Sequence, residues 1–574
     1  MKPHYFSNIN RYLIKGWYTP LLCLSAIITL VPAGMQAETK TPAGRIKYRI
    51  EIDVDYSGAS FKGRQWVHFV NSTREDLENI DFHLYPNIGL AEEDEPPLTI
   101  QKVSVGSHDL KFSLRSRQTV LRVDLPAKLP AGRSIELTLD FSARIPRVLR
   151  EETSLLAHFL YEVNDAVNTE RRPRDARDIF FAGDEAMLLG YFYPLVAVRQ
   201  SQSPELVLGS AVSGIVFTDV ADYEVTVNTD EKLTVIASGE RVDPLSANTK
   251  PSGRSVRTFR GESLRGFALA LVKGLKVLEQ KIGETRVLSY FRESDEKLGK
   301  RALAVGAGAV ETYTNAFGEY PYPELHIIEL PLPAGYSGVE LPSLMALAQA
   351  YYIDFDAPQA SRLPGVVREQ ADLIKSSFEF TLANGIAHQW WGGAVGSDSE
   401  RSPYMDESLA TFAAAYYHEA IYGSQLGEKI IDRHIRGGYQ AYRMLGGADL
   451  EVDKPAREFK TSMQYTAIVQ SKGALLFVVL RKELGDERFF NALRYYYKTN
   501  KFRIATPDHM RYVFLAAADD PREVRTIFQH WLKEKHGDED LGSPDLTLLQ
   551  TPGAKRSSVG KIFSKIGRTA ARPF

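Results

Sequence analysis

Cysteine is almost absent from the sequence, which has one among 574 residues. Cys23 lies in an N-terminal segment that we expect to be removed, so the mature chain is predicted to hold no disulfide and no thiol metal ligand. The sequence also lacks an excess of either charge, because 70 Lys and Arg oppose 72 Asp and Glu. A nucleic-acid binder normally carries a basic domain or stripe, so this balance argues against that class.

The apolar run from Leu21 to Val31 is too short to span a bilayer. It follows three basic residues and no acid, and it precedes a short segment that ends at Ala37. This layout predicts a signal peptide over residues 1–37 and an exported protein, either periplasmic or secreted. We accordingly expect no transmembrane segment in the mature chain.

Acidic residues are missing from the final segment, residues 547–574, which contains six Lys and Arg. A basic tail that also contains Gly and Ser favours solvated, disordered chain. The alternative is that this tail contacts an anionic surface. In both interpretations the tail lies beyond the folded domains.

Period-two alternation of apolar and polar residues dominates the first half of the chain. It runs from Ile46 to Val54 and returns at Ile135–Phe141 and Tyr223–Val227, with turn residues between the runs. Such alternation is typical of half-buried strands. Residues 38–285 are therefore predicted to form a β-rich domain.

The alternation stops between Pro146 and Tyr191, a stretch that contains the basic run Arg171–Arg174. Acidic residues that follow this run balance its charge. The pattern predicts a long solvated loop or excursion from the β-rich domain.

Helical periodicity replaces the alternation after about Ser289. It is strongest in Lys297–Tyr313, Tyr404–Tyr422 and Gly473–Leu484, where apolar residues recur with a 3.6-residue period. Residues 286–546 are therefore predicted to form a mainly helical domain.

The stretch from Asn384 to Gly392, with Glu407 further along the chain, has the outline of a zinc-protease site. A helical His-Glu-x-x-His motif places two His ligands on one face, with a Glu between them as general base. Here Asn384 stands in the first His position and Gly385 in the Glu position, which leaves His388 as the second histidine. The sequence therefore indicates ancestry more clearly than present activity.

Five motifs occur in a characteristic order: Phe317–Pro323, Ser337–Pro342, His388–Gly392, Asp406–Ala410 and Lys472–Ala474. In order and spacing they resemble the membrane alanyl aminopeptidase family of gluzincin zinc metallopeptidases. The resemblance covers roughly residues 45 to 545. It depends on the five motifs together, because any one alone would be a weak signal.

The resemblance implies a multi-domain α+β fold. An N-terminal β-saddle-like domain would precede a thermolysin-like, mainly α catalytic-type domain, with a zinc site and a substrate groove between them. In active members of the family three side chains hold Zn²⁺, a Glu deprotonates the metal-bound water and a Tyr stabilises the tetrahedral intermediate. A Gly-x-Met-Glu-Asn loop binds the free amino terminus of the peptide.

Three residues match the positions of family residues that bind metal or substrate. His388 corresponds to the second His ligand and Glu407 to the distal Glu ligand. Glu340 corresponds to the amine-binding Glu of a loop that here reads Ser-Gly-Val-Glu-Leu. Glu340 as an amine clamp and Glu340 as a plain loop carboxylate both remain open.

Three other positions depart from the family pattern. Asn384 offers an amide in place of an imidazole, so zinc is possible but should bind weakly. Gly385 cannot act as a base, and a general base typically contributes about 10² to 10⁴ in rate. Gln470 replaces the Tyr, which costs on the order of 10² to 10³ for one oxyanion donor, although Tyr465 lies close enough in sequence to substitute for it.

Two histidines have metal-free interpretations as well. His388 could be packed between Trp390 and Trp391 and hydrogen-bonded to Glu407 without metal. His418 is too far along a helix from Glu407 to be a natural substitute ligand, and a surface or core-edge histidine is favoured.

We expect a catalytically silent or strongly impaired protein that binds peptides or proteins with a free amino terminus. The alternative is a functional zinc-dependent aminopeptidase with a non-standard ligand set of Asn384, His388 and Glu407. A third hypothesis is a structural component that has merely inherited the groove.

Overall fold

A computed structural model describes residues 44–90, 94–167, 175–200, 203–204, 212, 214, 216–242, 249–250 and 253–542. The predicted signal peptide over 1–37, the basic run at 171–174 and the basic tail over 547–574 lie outside these residues. All described residues belong to one compact unit. It begins with a β-rich domain and continues with a mainly helical domain, as the resemblance implied.

The predicted alternating strands form the middle of the largest sheet. Ile46–Asp55 pairs antiparallel with Ser60–Val70 and parallel with Ala221–Asp230. The predicted apolar face of the first strand is buried, with Ile50 and Val54 fully inaccessible to solvent. The predictions of half-buried strands in this half of the chain are therefore confirmed.

Three main sheets make up the β-rich domain within the described residues. The nine-stranded sheet contains Ile46–Asp55, Ser60–Val70, Leu98–Val105, His108–Asp109, Ser134–Arg144, Ala221–Asp230, Glu240–Arg241, Thr249–Lys250 and Arg254–Leu264. The two four-stranded sheets contain Leu77–His83, Phe112–Arg115, Val120–Leu129 and Leu195–Val196, and Phe180–Ala182, Ala186–Gly190, Thr234–Ala237 and Ala268–Val272. A short hairpin joins Arg199–Gln200 to Ser203–Pro204.

The predicted loop between Pro146 and Tyr191 is wrong for much of its length. It contains the helix Leu155–Val167 and the strands Phe180–Ala182 and Ala186–Gly190. Both strands are buried along their whole length. Strands buried on both faces lack the polar and apolar alternation on which the prediction depended.

A five-stranded sheet opens the helical domain. In spatial order it contains Lys276–Ile282, Thr285–Phe291, Glu324–Leu330, Leu344–Ala348 and Gly338–Leu341. The sheet therefore starts at Lys276, ahead of the predicted domain boundary between 285 and 286. The first strand pairs with Thr285–Phe291 and with no strand of the β-rich domain among the described residues, which groups it with the helical domain.

Helices fill the remainder of this domain. The α-helices after the five-stranded sheet begins are Glu296–Phe317, Gly365–Glu369, Ala371–Ala387, Glu407–Tyr422, Ser424–Ile430, Gly437–Met444, Ser462–Tyr465, Gly473–Leu484, Asp486–Asn500, Pro507–Ala517, Pro521–Lys533 and Gly537–Leu541. Two π-helical segments, Ile431–Arg436 and Thr466–Lys472, interrupt them. A two-stranded pair, Val395–Gly396 with Arg503–Ile504, lies near the domain junction. The three helices predicted from periodicity are confirmed.

One continuous helical stretch in the described part, Ser462–Leu484, is long and apolar enough to cross a membrane. Its apolar window is 67% buried inside the protein, as the core helix of a folded domain would be. Its length and composition are therefore weak evidence that this helix crosses a membrane. The absence of a transmembrane segment from the mature chain stays a prediction.

Arg265 joins the β-rich domain to the helical domain. Its guanidinium donates to the carbonyls of Thr218, Gly393 and Arg503 at 2.6, 2.9 and 3.1 Å. The residue is only 8% exposed, and burial lowers its pKa, although an arginine stays charged in proteins. One side chain thus satisfies three main-chain acceptors from separate segments.

Replacing Arg265 with Met should lower the free energy of unfolding by about 2 to 4 kcal/mol, because buried carbonyls would lose their donors. Chemical unfolding measures this change. The matched control is Arg64→Met, which removes an exposed ion pair with Asp140 and should cost at most about 1 kcal/mol. Equal effects of the two substitutions would contradict the structural role of Arg265.

Candidate active-site cleft

A cavity of about 400 Å³ opens between the two domains. Five residues singled out from the sequence line it: Glu340, His388, Glu407, Tyr465 and Gln470. An adjoining lobe of about 360 Å³ shares His388 and Glu407 and adds Asn384 and Gly385. The structure therefore brings all the predicted site positions to one cleft.

The end of a helix orients His388. The helix Ala371–Ala387 stops there, and the Nδ1–H of His388 donates to the Trp391 carbonyl at 3.2 Å. Gly392 follows with a φ of +97°, a left-handed conformation that glycine adopts without strain. Because a carbonyl can only accept, Nδ1 carries the proton and Nε2 is left to face Glu407.

Glu407 is the first residue of the helix Glu407–Tyr422. The Asp406 carboxylate caps this helix by accepting the Glu407 N–H at 3.0 Å, and it also accepts the Ser399 hydroxyl. Capping of this kind fixes the start of the helix. It places the Glu407 side chain at the cleft, only 12% exposed.

The predicted direct hydrogen bond between His388 and Glu407 is wrong. Their Nε2 and Oε2 atoms are 3.8 Å apart, which is too long for a hydrogen bond. The same carboxylate oxygen instead accepts the amide of Gln470 at 2.9 Å. Gln470 is therefore the direct hydrogen-bond partner of the Glu407 oxygen that lies nearest to His388.

A π-helical segment, Thr466–Lys472, presents Gln470 to the cleft. The neighbouring carbonyl of Val469 accepts the Ser408 hydroxyl at 2.6 Å, which ties this segment to the helix that carries Glu407. Single π-helical turns are frequent at functional sites because they redirect side chains. Here the side chain is the amide of Gln470, which lacks the phenol that would stabilise a tetrahedral intermediate in an active aminopeptidase.

The charges of the cleft are coupled. Burial works against the imidazolium of His388, but the carboxylates of Glu340, Glu407 and Asp406 outweigh it and raise its pKa. Burial raises the pKa of Glu407 to about 7, against the opposing attraction of His388. The charge of each group therefore affects the protonation of the other.

Met345 fills the space beside Gly385. A Cβ atom added to Gly385 would lie 2.6 Å from Cε of Met345 and closer still to its sulfur. Met345 is 1% exposed, and it lies opposite Glu340 in a strand pair. Sequence reasoning missed this residue, because a methionine in an apolar strand carries no signal of what it will face.

Asn384 and Tyr465 take different places around the cleft. The amide of Asn384 donates to the Thr411 hydroxyl at 3.5 Å, the limit for such a bond. Tyr465 is 2% exposed, and its hydroxyl has no hydrogen-bond partner among the described residues. Burial, reinforced by the Glu407 carboxylate, raises the pKa of Tyr465 well above its ordinary value, so the phenol stays protonated.

The donors present do not fit the family's zinc site. His388 and Glu407 are suitable ligands, but a catalytic zinc normally takes three protein ligands. The third position is the amide of Asn384, a donor for which Zn²⁺ has little preference. The donor set is therefore one good ligand short of a catalytic zinc site.

Glu340 lies on Gly338–Leu341, the outer strand of the five-stranded sheet. Its side chain is exposed to solvent within the cleft. Desolvation of the carboxyl by the walls of the cleft raises the pKa of Glu340, and the nearby His388 opposes this change. The Gln389 side chain accepts from the Ser343 N–H at 2.8 Å and donates to the Leu341 carbonyl at 3.0 Å, which fixes the hairpin against the end of the His388 helix.

His418 does not line either lobe of the cleft among the described residues. It is 3% exposed, its Nδ1–H donates to the Ala414 carbonyl at 2.8 Å, and its ring packs against Phe380. These contacts agree with a core-edge histidine and exclude a position beside His388.

Part of the chain is similar in sequence to known aminopeptidases. Residues 302–531 match the peptidase family M1 domain. Aminopeptidase N of Lactobacillus delbrueckii subsp. lactis is 22% identical over 541 residues, which are 92% of this chain and 54% of that protein. Aminopeptidase N of Lactobacillus helveticus is 25% identical over 243 residues, which are 41% of this chain and 26% of that protein.

A solved structure shows the same fold. A mutant M1 zinc metallopeptidase from Deinococcus radiodurans aligns with a TM-score of 0.55 at 16% identity, covering 86% of this chain and 95% of that one. The chain spans about a quarter to a half of the length of the curated relatives it matches. The matches show that residues 302–531 are similar to the peptidase family M1 domain and that the chain shares the fold of a protein described as an M1 zinc metallopeptidase.

His434 lines the adjoining lobe of the cleft. Its Nε2 contacts the Ser376 hydroxyl at 2.7 Å, and its ring stacks on Phe380 with centroids 4.5 Å apart. Burial, with His418 and Arg433 nearby, lowers the pKa of His434 from 6.5 to about 4. The folded protein therefore keeps this ring neutral at pH values where the unfolded chain protonates it.

Stability should fall as the pH drops from about 6.5 to about 4, because the unfolded state then binds the extra proton. His434→Gln removes this contribution and should make the loss of stability shallower in that window. Unfolding curves at several pH values measure the slope. The matched control, the exposed His108→Gln, should leave the slope unchanged, and an unchanged slope in His434→Gln would contradict the assignment.

Proposed function

We propose that the chain is an exported, catalytically silent or strongly impaired member of the M1 aminopeptidase family. Its cleft binds peptides or proteins through a free amino terminus. The proposal of export depends on the signal-peptide pattern of residues 1–37 alone. The proposal about the cleft depends on its residues.

One observation supports the proposed loss of catalysis most directly. Met345 occupies the volume that a side chain at Gly385 would need. The position that lacks the general base, Gly385, is therefore also filled by Met345, as expected in a tightly packed interior. A water molecule has no carboxylate at this place to remove its proton.

The cleft nevertheless has the features of a binding site for a cationic amino terminus. Its volume falls within the range of ligand pockets. Among the described residues that line it, four are carboxylic acids: Asp178, Glu340, Asp406 and Glu407. The exposed side chain of Glu340 is the one best placed to accept hydrogen bonds from an ammonium group.

The outer strand Gly338–Leu341 supports binding of an extended peptide. Among the described strands it pairs only with Leu344–Ala348, so its other edge borders the cleft. An extended peptide can add to such an edge through main-chain hydrogen bonds. Glu340 would then lie beside the first residue of that peptide.

The alternative function is a metallopeptidase that uses Asn384, His388 and Glu407. The phenol of Tyr465, which lines the same cavity beside the Glu407 carboxylate, favours it because a phenol could stabilise an oxyanion. Aminopeptidase activity that chelators abolish would support this alternative and reject the silent cleft.

Glu340→Gln should weaken binding of a peptide with a free amino terminus about tenfold or more, because a hydrogen bond to a charged group is worth about 1.5 to 3 kcal/mol. Titration of a labelled peptide measures the affinity. The N-acetylated peptide should bind weakly to both proteins, and Glu262→Gln, an exposed acid outside the cleft, should bind normally. Equal affinity for both peptides would contradict the role of Glu340.

Restoring Asn384→His, Gly385→Glu and Gln470→Tyr together should leave the protein almost inactive, because Met345 blocks the new glutamate. Adding Met345→Ala should raise kcat/KM by about 10² or more, the typical contribution of a general base. The assay is release of an amino-terminal residue from an aminoacyl substrate.

Met345→Ala alone is the control and should gain no activity. A triple variant as active as the fourfold variant would show that Met345 moves aside, which would contradict the steric account.

A further inference from the structure

A second group of metal-binding side chains lies where the helix Pro521–Lys533 ends. His530 is in the last turn of that helix, and Glu534 and His536 follow before the short helix Gly537–Leu541. None of these three residues is among the described residues that line the cleft. We propose that His530, Glu534 and His536 bind a divalent transition-metal ion of the zinc class.

The spacing of the three side chains suits one ion. The Glu534 Oε2 atom lies 3.2 Å from His530 Nδ1 and 3.4 Å from His536 Nε2, and all three ligand atoms lie within 4.8 Å of one another. Bonds of 2.0 to 2.2 Å in a tetrahedral shell place neighbouring ligand atoms roughly 3.3 to 3.5 Å apart. The carboxylate is therefore already at ligand spacing from both rings.

The other nitrogen of each ring also faces a carboxylate. His530 Nε2 lies 2.8 Å from Asp540 Oδ2, and His536 Nδ1 lies 3.0 Å from Glu539 Oε2. Such outer carboxylates orient metal-bound histidines and fix their tautomer. In this arrangement the outer nitrogens carry the protons and the inner nitrogens are free to bind metal.

Hydrogen bonds alone satisfy this cluster poorly. A neutral imidazole has one N–H, yet both nitrogens of both rings face carboxylate oxygens. The two rings are nearly parallel with centroids 4.9 Å apart, so charging both would place two cations side by side. A divalent ion bound by the inner nitrogens and Glu534 would remove that repulsion, once the two partly exposed rings turn so that their in-plane lone pairs meet at the ion.

The donor set also defines the class of ion. Two imidazole nitrogens and one carboxylate oxygen suit zinc, cobalt and nickel better than magnesium or calcium. Partial exposure, from 32% for His530 to 41% for His536, leaves the site open to ions from solvent. Water can take the fourth position.

The site would anchor the C-terminal part of the domain. The Glu534 carbonyl accepts the ammonium of Lys472 at 3.0 Å, and Lys472 also pairs with Asp449 at 2.9 Å. The Gly537 N–H donates to the same Asp449 carboxylate at 2.8 Å. An ion at the intervening turn would fix this connection to the segment that presents Gln470.

The test is zinc per chain by elemental analysis, on protein made without a His tag, exposed to zinc and then dialysed. Wild type should retain about one zinc, as should His388→Ala and the exposed-histidine control His108→Gln. The double substitution His530→Gln and His536→Gln should retain none. Zinc that is lost in His388→Ala but kept in the double variant would overturn this inference, and it would separately contradict the metal-free cleft.

Two further measurements keep the test decisive. Cobalt should give wild type the visible absorption of a low-coordinate site with nitrogen ligands, and the double variant should lack it. Zinc should raise the Tm of wild type and not of the double variant, since an ion that binds only the folded state stabilises it. If the double variant does not fold, Glu534→Gln replaces it. Wild type that retains no zinc after dialysis would overturn the proposal, as would full retention of zinc by the double variant or by Glu534→Gln.

Discussion

The contact between Met345 and Gly385 is the constraint on which the cleft depends. The thioether occupies the volume that the general base of an active relative would need, and it does so from a fully buried strand. That strand also pairs with the strand of Glu340, so Met345 and Glu340 belong to one hairpin.

The electrostatics of the cleft agree with this arrangement. In a working zinc site the ion would neutralise the carboxylates around it. Here two side chains partly compensate for these carboxylates. His388 does so through its attraction to them, and Gln470 does so through its hydrogen bond to Glu407. The remaining negative charge suits an ammonium ligand. Arg265 lines the same cavity, and its hydrogen bonds go to main-chain carbonyls of both domains, so it connects the walls of the cleft.

Much of the fold and most of the site positions could be predicted from the sequence. Alternation identified the strand Ile46–Asp55 because one of its faces is buried and the other is solvated, and motif order brought His388, Glu407 and Gln470 to one place. The strands Phe180–Ala182 and Ala186–Gly190 could not be found in this way because both of their faces are buried. Met345 could not be found either, since its importance comes from a contact between segments far apart in sequence, and the same holds for the hydrogen bond that Gln470 makes to Glu407.

The most direct measurement of the central claim is the turnover of the unmodified protein on a peptide with a free amino terminus, with zinc supplied. The account predicts that the peptide binds and is recovered intact, with no turnover that a chelator can remove and none that distinguishes wild type from His388→Ala. Multiple turnovers that a chelator stops, and that His388→Ala abolishes, would contradict it.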